Sequence, residues 1–395
     1  MKGLLTLIRN AEVFAPERLG RRDVLIAGAR VAAVAGQIPL RGDPLEVIDA
    51  EGKWLLPGFV DALTHPCGGG GEGGFANRTP EIEVDDFIGS GVTTPVGALG
   101  TDSLTRSLEV LYGKVMELRA RGVSAHMLCG SYRLPPATLT GDVARDLVLI
   151  EPLIGAGEIA IADHRSSQPT AAELRRLGAE VHLGGTLSGK RGAVLVHVGD
   201  GDGGLDLLEA ALLDGDLPRR VFYPTHVNRH GDLLQQAIGY ARRGGFADIT
   251  VATTPEFIAA GEVPPLQALR RAMEGGAPPE RLTLSSDAGG SLPLYRDGEL
   301  VGLQAASSAV LLELLQAAIR EEPDLVGAVI ASLTRNPADA YGLAAKGRVA
   351  PGQDADLLLI DPASGTLTDV LGGGRWLMRS GSIEPWRGGI GRSGI

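Results

Sequence analysis

The chemistry-bearing residues of this 395-residue chain are a few histidines and carboxylates that close apolar runs. His197 ends Val194-Leu195-Val196-His197, His226 follows Tyr223-Pro224-Thr225, and Asp287 follows Leu284-Ser285-Ser286. A polar residue at the end of an apolar run sits where a buried strand delivers its side chain to a pocket. Two imidazoles and a later carboxylate that converge form the ligand set of a catalytic zinc, which keeps one position open for water. Such a cation lowers the pKa of its water towards ~7. A nearby Asp then carries the proton to the leaving group. The alternative is that each histidine is a satisfied structural residue, and position at a strand end leaves both readings open.

The elements that must position these groups form a series. Apolar, strand-like runs occupy 54–65, 92–99, 123–132, 158–163, 193–198, 221–226, 249–253 and 282–287. Stretches with helical spacing lie between them, among them 103–121, 171–177, 205–213, 231–243 and 265–274. Eight alternations predict an α/β chain built on a (β/α)8 TIM-like barrel over residues 54–344. A doubly wound sheet is the competing arrangement. The barrel is favoured because His65, Tyr132, Asp163, His197, His226 and Asp287 all fall at or just past strand ends, where barrel enzymes build their sites. Residues 1–53 and 345–395 have a different texture, short β pieces separated by glycine turns. They predict a small β-sandwich domain completed from both ends of the chain.

Composition limits the partners. Hydrophobic residues make up 44% and charged residues 22%, the balance of an ordinary globular protein. A net charge of −11 argues against nucleic acid and anionic membrane. No apolar run approaches the roughly 20 residues of a membrane span. The short apolar patch near the start is followed at once by Arg9 and Glu12, unlike a signal peptide. Cys67 and Cys129 make no disulfide framework. A cytoplasmic protein with a small-molecule substrate is the expectation.

The first barrel run holds an anomaly. It reads Leu56-Pro57-Gly58-Phe59-Val60-Asp61-Ala62-Leu63-Thr64-His65 and leads into Gly68-Gly69-Gly70-Gly71-Glu72. Further motifs are Gly100-Thr101-Asp102-Ser103, Gly130-Ser131-Tyr132, Asp163-His164-Arg165-Ser166 and His197-Val198-Gly199-Asp200. Pro224-Thr225-His226-Val227-Asn228-Arg229, Leu284-Ser285-Ser286-Asp287 and Gly347-Arg348-Val349-Ala350-Pro351-Gly352 complete the set. With these motifs the chain resembles the amidohydrolase superfamily nearly end to end, most closely the bacterial isoaspartyl (β-aspartyl) dipeptidases. The resemblance implies two metals held by a His-x-His pair, a bridging carbamylated lysine, two later histidines and an aspartate. This sequence departs from that pattern twice. Leu63 replaces the first histidine of the pair, and Glu158 stands where the lysine is expected. Of the five lysines, Lys114 falls in a predicted helix and Lys190 in a loop, and none offers a substitute.

Glutamate supplies a carboxylate on a shorter arm than the carbamate. The N-acetylglucosamine-6-phosphate deacetylases, members of the same superfamily, are similar in pairing Glu with two His. The resemblance therefore implies one Zn2+ per chain on Glu158, His197 and His226, with Asp287 as general base and acid. His65 would bond the water or substrate, or hold a weak second metal with Asp287. On the substrate side it implies that Glu72 grips an ammonium, that Arg165 and Arg229 bind carboxylates, and that Tyr132 polarises the scissile carbonyl. Ser291 and Thr101 would help to hold the substrate. Asp163 and His164 would orient neighbouring groups, whereas His126 in a strand and His182 and His230 in loops would lie outside the site.

Three functions compete. The first is a metal-dependent hydrolase of β-aspartyl dipeptides or a close analogue. The second is an enzyme on the same scaffold acting on another amide or a cyclic imide, or in a biosynthetic step. The third is a metal-free amino-acid-binding protein. Retention of Asp287, Tyr132 and both histidines argues against the third. Relatives assemble into multimers, so the resemblance also implies a homo-oligomer.

Overall fold

The computed structural model describes residues 5–42, 45–71, 74–213, 215–296 and 299–386. Strands Phe59–Thr64, Val92–Gly97, His126–Cys129, Leu153–Ile161, Ala193–Val198 and Phe222–Thr225 are buried at almost every residue. That is the pattern of strands covered on both faces, and they pair in parallel in chain order. Ala247–Thr250 and Leu282–Ser285 form a second parallel pair. The Val227 amide donates to the Asp248 carbonyl (3.1 Å), and Thr64 makes a parallel bridge with Ala288. Both ends of the six-stranded sheet thus meet the pair, and the eight strands curl into a TIM-like fold.

Helices cover the outside, each begun by the capping its sequence provides. Ser107, Asp142 and Thr170 accept from amides in the first turns of Leu108–Ala120, Val143–Leu149 and Ala171–Ser188. His230 caps Gly231–Arg242 through Nδ1, which accepts from the Leu233 amide (3.2 Å). The helix expected over 171–177 continues to Ser188, so His182 is helical rather than in a loop. Its interior glycines hid that length. A Cβ at Gly184 would meet the Ala144 Cα at 2.8 Å, so close packing against the preceding helix requires glycine there.

The other sheet has nine strands, drawn from Leu5–Asp49, Trp54–Pro57 and the tail from Leu357 to Ile383. Leu357–Ile360 runs antiparallel to Trp54–Pro57, which ties the tail of the chain to its start. What the sequence suggested as a small β-sandwich is seen as this strand-rich sheet with its own core of Ile8, Val13, Val24, Leu55, Leu357 and Leu359. Trp54–Pro57 pairs in this sheet and not in the parallel one, so the chain changes sheets at Gly58. A Cβ at Gly58 would lie 2.1 Å from Thr93 Oγ1, so only glycine makes that crossing. No helix among the described residues is long and apolar enough to cross a membrane.

Inside the curled sheet, Leu63, Val96, Leu128, Leu195, Tyr223 and Tyr341 pack in one apolar cluster. Beside it lies a buried polar layer. Asp248 accepts from the hydroxyls of Thr225 (2.7 Å), Thr283 (2.6 Å) and Ser285 (2.5 Å). Asp61 accepts from the Ser286 amide (3.0 Å) and from its hydroxyl. Burial pushes these carboxyls up, Asp61 to about 7 and Asp248 to about 6, against the pull of their hydrogen bonds.

Candidate active site

At the C-terminal ends of the parallel strands a cavity of about 360 Å³ opens. Glu158, His197 and His226 come together beneath it, one donor atom from each lying within 4.8 Å of the others. Each comes from a different, neighbouring strand or strand end, so the ring geometry assembles them. His226 and Asp287 both adopt positive φ, +62° and +55°, a conformation that non-glycine residues seldom take and that clusters at functional sites.

The hydrogen bonds fix how these groups face one another. His197 lies between two carboxylates, its Nε2 2.9 Å from Asp163 Oδ2 and its Nδ1 2.8 Å from Glu158 Oε1. The Tyr132 hydroxyl lies 2.7 Å from the same Nδ1. His226 Nε2 lies 3.1 Å from Glu158 Oε1, and its Nδ1 is 2.6 Å from Thr250 Oγ1. Glu158 is 1% exposed, and its Oε2 has no hydrogen-bond partner among the described residues. A buried carboxylate with an oxygen free of hydrogen bonds, beside two imidazoles, fits a bound cation. Burial alone would raise the Glu158 pKa, but the two imidazoles and His65 hold it well below the usual carboxylate range. His226 is pushed down to about 4 by burial and by the neighbouring His197, so it stands neutral as a ligand must.

His65 lies on the other side of Glu158. Its Nδ1–H donates to the Ala98 carbonyl (3.1 Å), and its Nε2 sits 3.1 Å from Asp287 Oδ1 and 3.6 Å from Glu158 Oε2. Burial opposes its protonation, but Asp287 and Glu158 outweigh burial and lift it to about 9. Leu63 is fully buried in the apolar cluster and does not line the cavity. The second metal position that the resemblance implies therefore has His65 and Asp287 but no second imidazole.

The expected substrate residues divide. Tyr132, Thr101, Arg165, Arg229 and Ser291 all line the cavity. Glu72 lies outside the described residues, while Gly69 and Gly70 just before it form part of the wall. Arg165 is gripped by Asp163, through Nε to Oδ1 (2.9 Å) and Nη2 to Oδ2 (2.7 Å), and lies over the Tyr132 ring. Asp163 thus orients both Arg165 and His197. His164 is exposed at the rim, its Nδ1 3.6 Å from Asp163 Oδ1. Arg229 presents a buried Nε with no partner among the described residues. The Tyr132 hydroxyl is driven well above its ordinary pKa by burial and by Glu158, so it remains a donor.

Other lining residues carried no signal in the sequence reading. Asn228 clamps the rim by donating to the carbonyls of Thr250 and Val263, both at 3.1 Å. That brings Phe257 and Glu262 into the wall. Leu292 and Leu303 arrive on the hairpin Ser291–Arg296 and Glu299–Ala305, which follows the last parallel strand. The motif run from Thr225 to Arg229 contained Asn228, but nothing in its spacing showed that it ties two loops.

Comparison with known proteins adds the lineage. A profile of the Amidohydrolase family matches residues 262–379. The chain is similar to a β-aspartyl dipeptidase from the thermophilic keratin-degrading Fervidobacterium islandicum AW-1, whose structure was solved in complex with the β-Asp-Leu dipeptide. Identity is 41%, with 98% of this chain and 100% of that one covered and a TM-score of 0.88. A dihydroorotase from Anaeromyxobacter dehalogenans is 25% identical, covering 93% of this chain and 90% of that protein. An N-acetylglucosamine-6-phosphate deacetylase from Pasteurella multocida shares the fold alone, at 16% identity and a TM-score of 0.64 over 95% of this chain and 100% of that one.

Proposed function

The chain belongs to the amidohydrolase superfamily, and from that premise we propose that it is a metal-dependent hydrolase cleaving the amide of β-aspartyl dipeptides. The observation that carries this reading is the convergence of Glu158, His197 and His226 beneath a cavity lined by Asp287, Tyr132 and Arg229. Its support is the 41% identity, end to end, to a β-aspartyl dipeptidase.

In this reading Glu158, His197 and His226 hold one divalent cation, zinc by the chemistry of the donor set. When bound, such a cation acidifies water and polarises a carbonyl. Asp287 accepts the proton of the attacking water at its carboxylate and returns it to the departing amine. His65, anchored on the Ala98 carbonyl, keeps that carboxylate in place. The Tyr132 hydroxyl donates to the oxyanion that develops on the scissile carbonyl, a role worth roughly 3–4 kcal/mol for a single donor. Arg229, with its unpaired Nε, binds one substrate carboxylate, and Arg165, held by Asp163, binds the other. Ser291 and Thr101 line the head-group side, and Glu72 takes the substrate ammonium.

A second reading, hydrolysis of a cyclic amide, is favoured by the similarity to dihydroorotases over most of the chain. Elemental analysis of zinc-loaded protein, with β-Asp-Leu and dihydroorotate assayed side by side, separates the two. We expect about one zinc per chain and release of leucine. Turnover of dihydroorotate alone establishes the second reading, and a chain that takes up no metal overturns both.

A further inference from the structure

A β-aspartyl dipeptide presents one ammonium, two carboxylates and one amide, and the reading above assigns a partner to each. The side chain of the departing residue is left over. Among the described charged residues that line the cavity, two carboxylates are also left over: Asp200, exposed at the mouth, and Glu262.

Glu262 is the better placed. The Thr253 hydroxyl bonds the Glu262 carboxylate, but its Oε1 is shielded from solvent and has no hydrogen-bond partner among the described residues. Its backbone is fixed. The Glu262 amide donates to the Phe257 carbonyl (3.0 Å), and the Val263 amide donates to the Asn228 carbonyl (2.8 Å). The Asn228 side chain closes the same clamp. Arg229 lies within electrostatic reach of Glu262 but makes no ion pair with it among those seen. Phe257 and Ala252 flank Glu262 in the wall, offering an apolar path to its carboxylate.

Resting on the dipeptidase reading, we propose that Glu262 sets specificity for the departing residue, selecting side chains that are cationic at the tip and apolar along the stem, and rejecting acidic ones. A lysine stem lies along Phe257 while its ammonium supplies the hydrogen bond that Oε1 lacks. An acidic side chain would bring a second negative charge against a shielded carboxylate.

Steady-state kinetics with β-Asp-Lys, β-Asp-Leu and β-Asp-Glu test this on the zinc-loaded wild type and on Glu262→Gln. The expected result is a kcat/KM for β-Asp-Lys at least tenfold above that for β-Asp-Glu in the wild type, falling to within about threefold in the variant. A residue that merely balances Arg229 would raise KM for all three peptides together and leave their ratio intact, and that outcome overturns the proposal. So does wild-type cleavage of β-Asp-Leu with no preference between Lys and Glu, a result that leaves the dipeptidase reading standing. Failure to cleave any of the three at full zinc content sinks the dipeptidase reading itself, and this inference with it. The wild-type series decides the matter even if Glu262→Gln does not fold.

Discussion

A carboxylate buried between imidazoles stays ionised only if positive charge shares its site, and Glu158 meets that condition twice over. His65 is raised to about 9 beside it, and Glu158, His197 and His226 make a donor set that would hold a cation. Asp287 is the freer carboxylate. It is held by His65 on one oxygen and set by a strained backbone at φ +55°. Its neighbour Ser286 is locked by Asp61, and the Ser286 hydroxyl accepts from the Ala288 amide (2.9 Å). Replacing Asp287 by Asn keeps the shape and removes the base. We expect kcat for β-Asp-Leu to fall by about 10²–10⁴-fold, with KM changed little and zinc content retained, as measured by steady-state kinetics and elemental analysis. A fall in zinc content instead would make Asp287 a ligand. His197, His226 and Asp287 were legible in the sequence because each ends an apolar run. Glu158 was legible only through resemblance, because a glutamate inside such a run has no signature of its own. Glu262 and Asn228 sit on loops whose meeting depends on the ring of strands closing, which local pattern does not encode.

At the scale of elements, the two ends of the parallel strands do different work. The C-terminal ends hold the site, and the N-terminal ends hold structural polar groups. Lys190 shows the second kind. Its ammonium donates to the carbonyls of Leu147, Ile150 and Leu153 at 2.7–2.8 Å, which satisfies the end of the helix Val143–Leu149. His126 opens the strand His126–Cys129, far along the chain from any ligand. Burial, then the charges of Arg119, Lys346 and Lys190, push it from 6.5 down to about 3. A base depressed in the fold contributes stability above its unfolded pKa and loses it as pH falls. The window here runs from about pH 6.5 down to about pH 3. Thermal melts of wild type and His126→Gln across that window should converge or cross as pH drops, with wild type losing more. Parallel curves would mean that His126 titrates normally. Most strands lie near the apolar runs, because burial on both faces leaves an unbroken run, but the one expected over 158–163 spans Leu153–Ile161. Trp54–Pro57 is as apolar as the strand after it, so only the demand for glycine at position 58 marks where the chain crosses between sheets.

Over the whole molecule, the three proposed ligands come from strands beginning at Leu153, Ala193 and Phe222, so only the folded ring holds them together. A cation that binds the folded state and not the unfolded one stabilises it by RT ln(1 + [L]/Kd), about 2.7 kcal/mol at a hundredfold excess over Kd. For a chain of this size that is a shift of a few degrees in the melting temperature. Chelator-treated protein should therefore melt lower than zinc-loaded protein, and zinc should restore the difference. Glu158→Gln is the informative variant, and the quantity to compare is its zinc-dependent increment, not its absolute melting point. Removing a buried negative charge relieves the metal-free fold of a desolvation cost, so the metal-free variant can melt as high as metal-free wild type, or higher. If Glu158 is a ligand, the variant loses the increment that zinc gives the wild type. If the increment survives at full size, the cation sits elsewhere, and His65 with Asp287 becomes the position to examine.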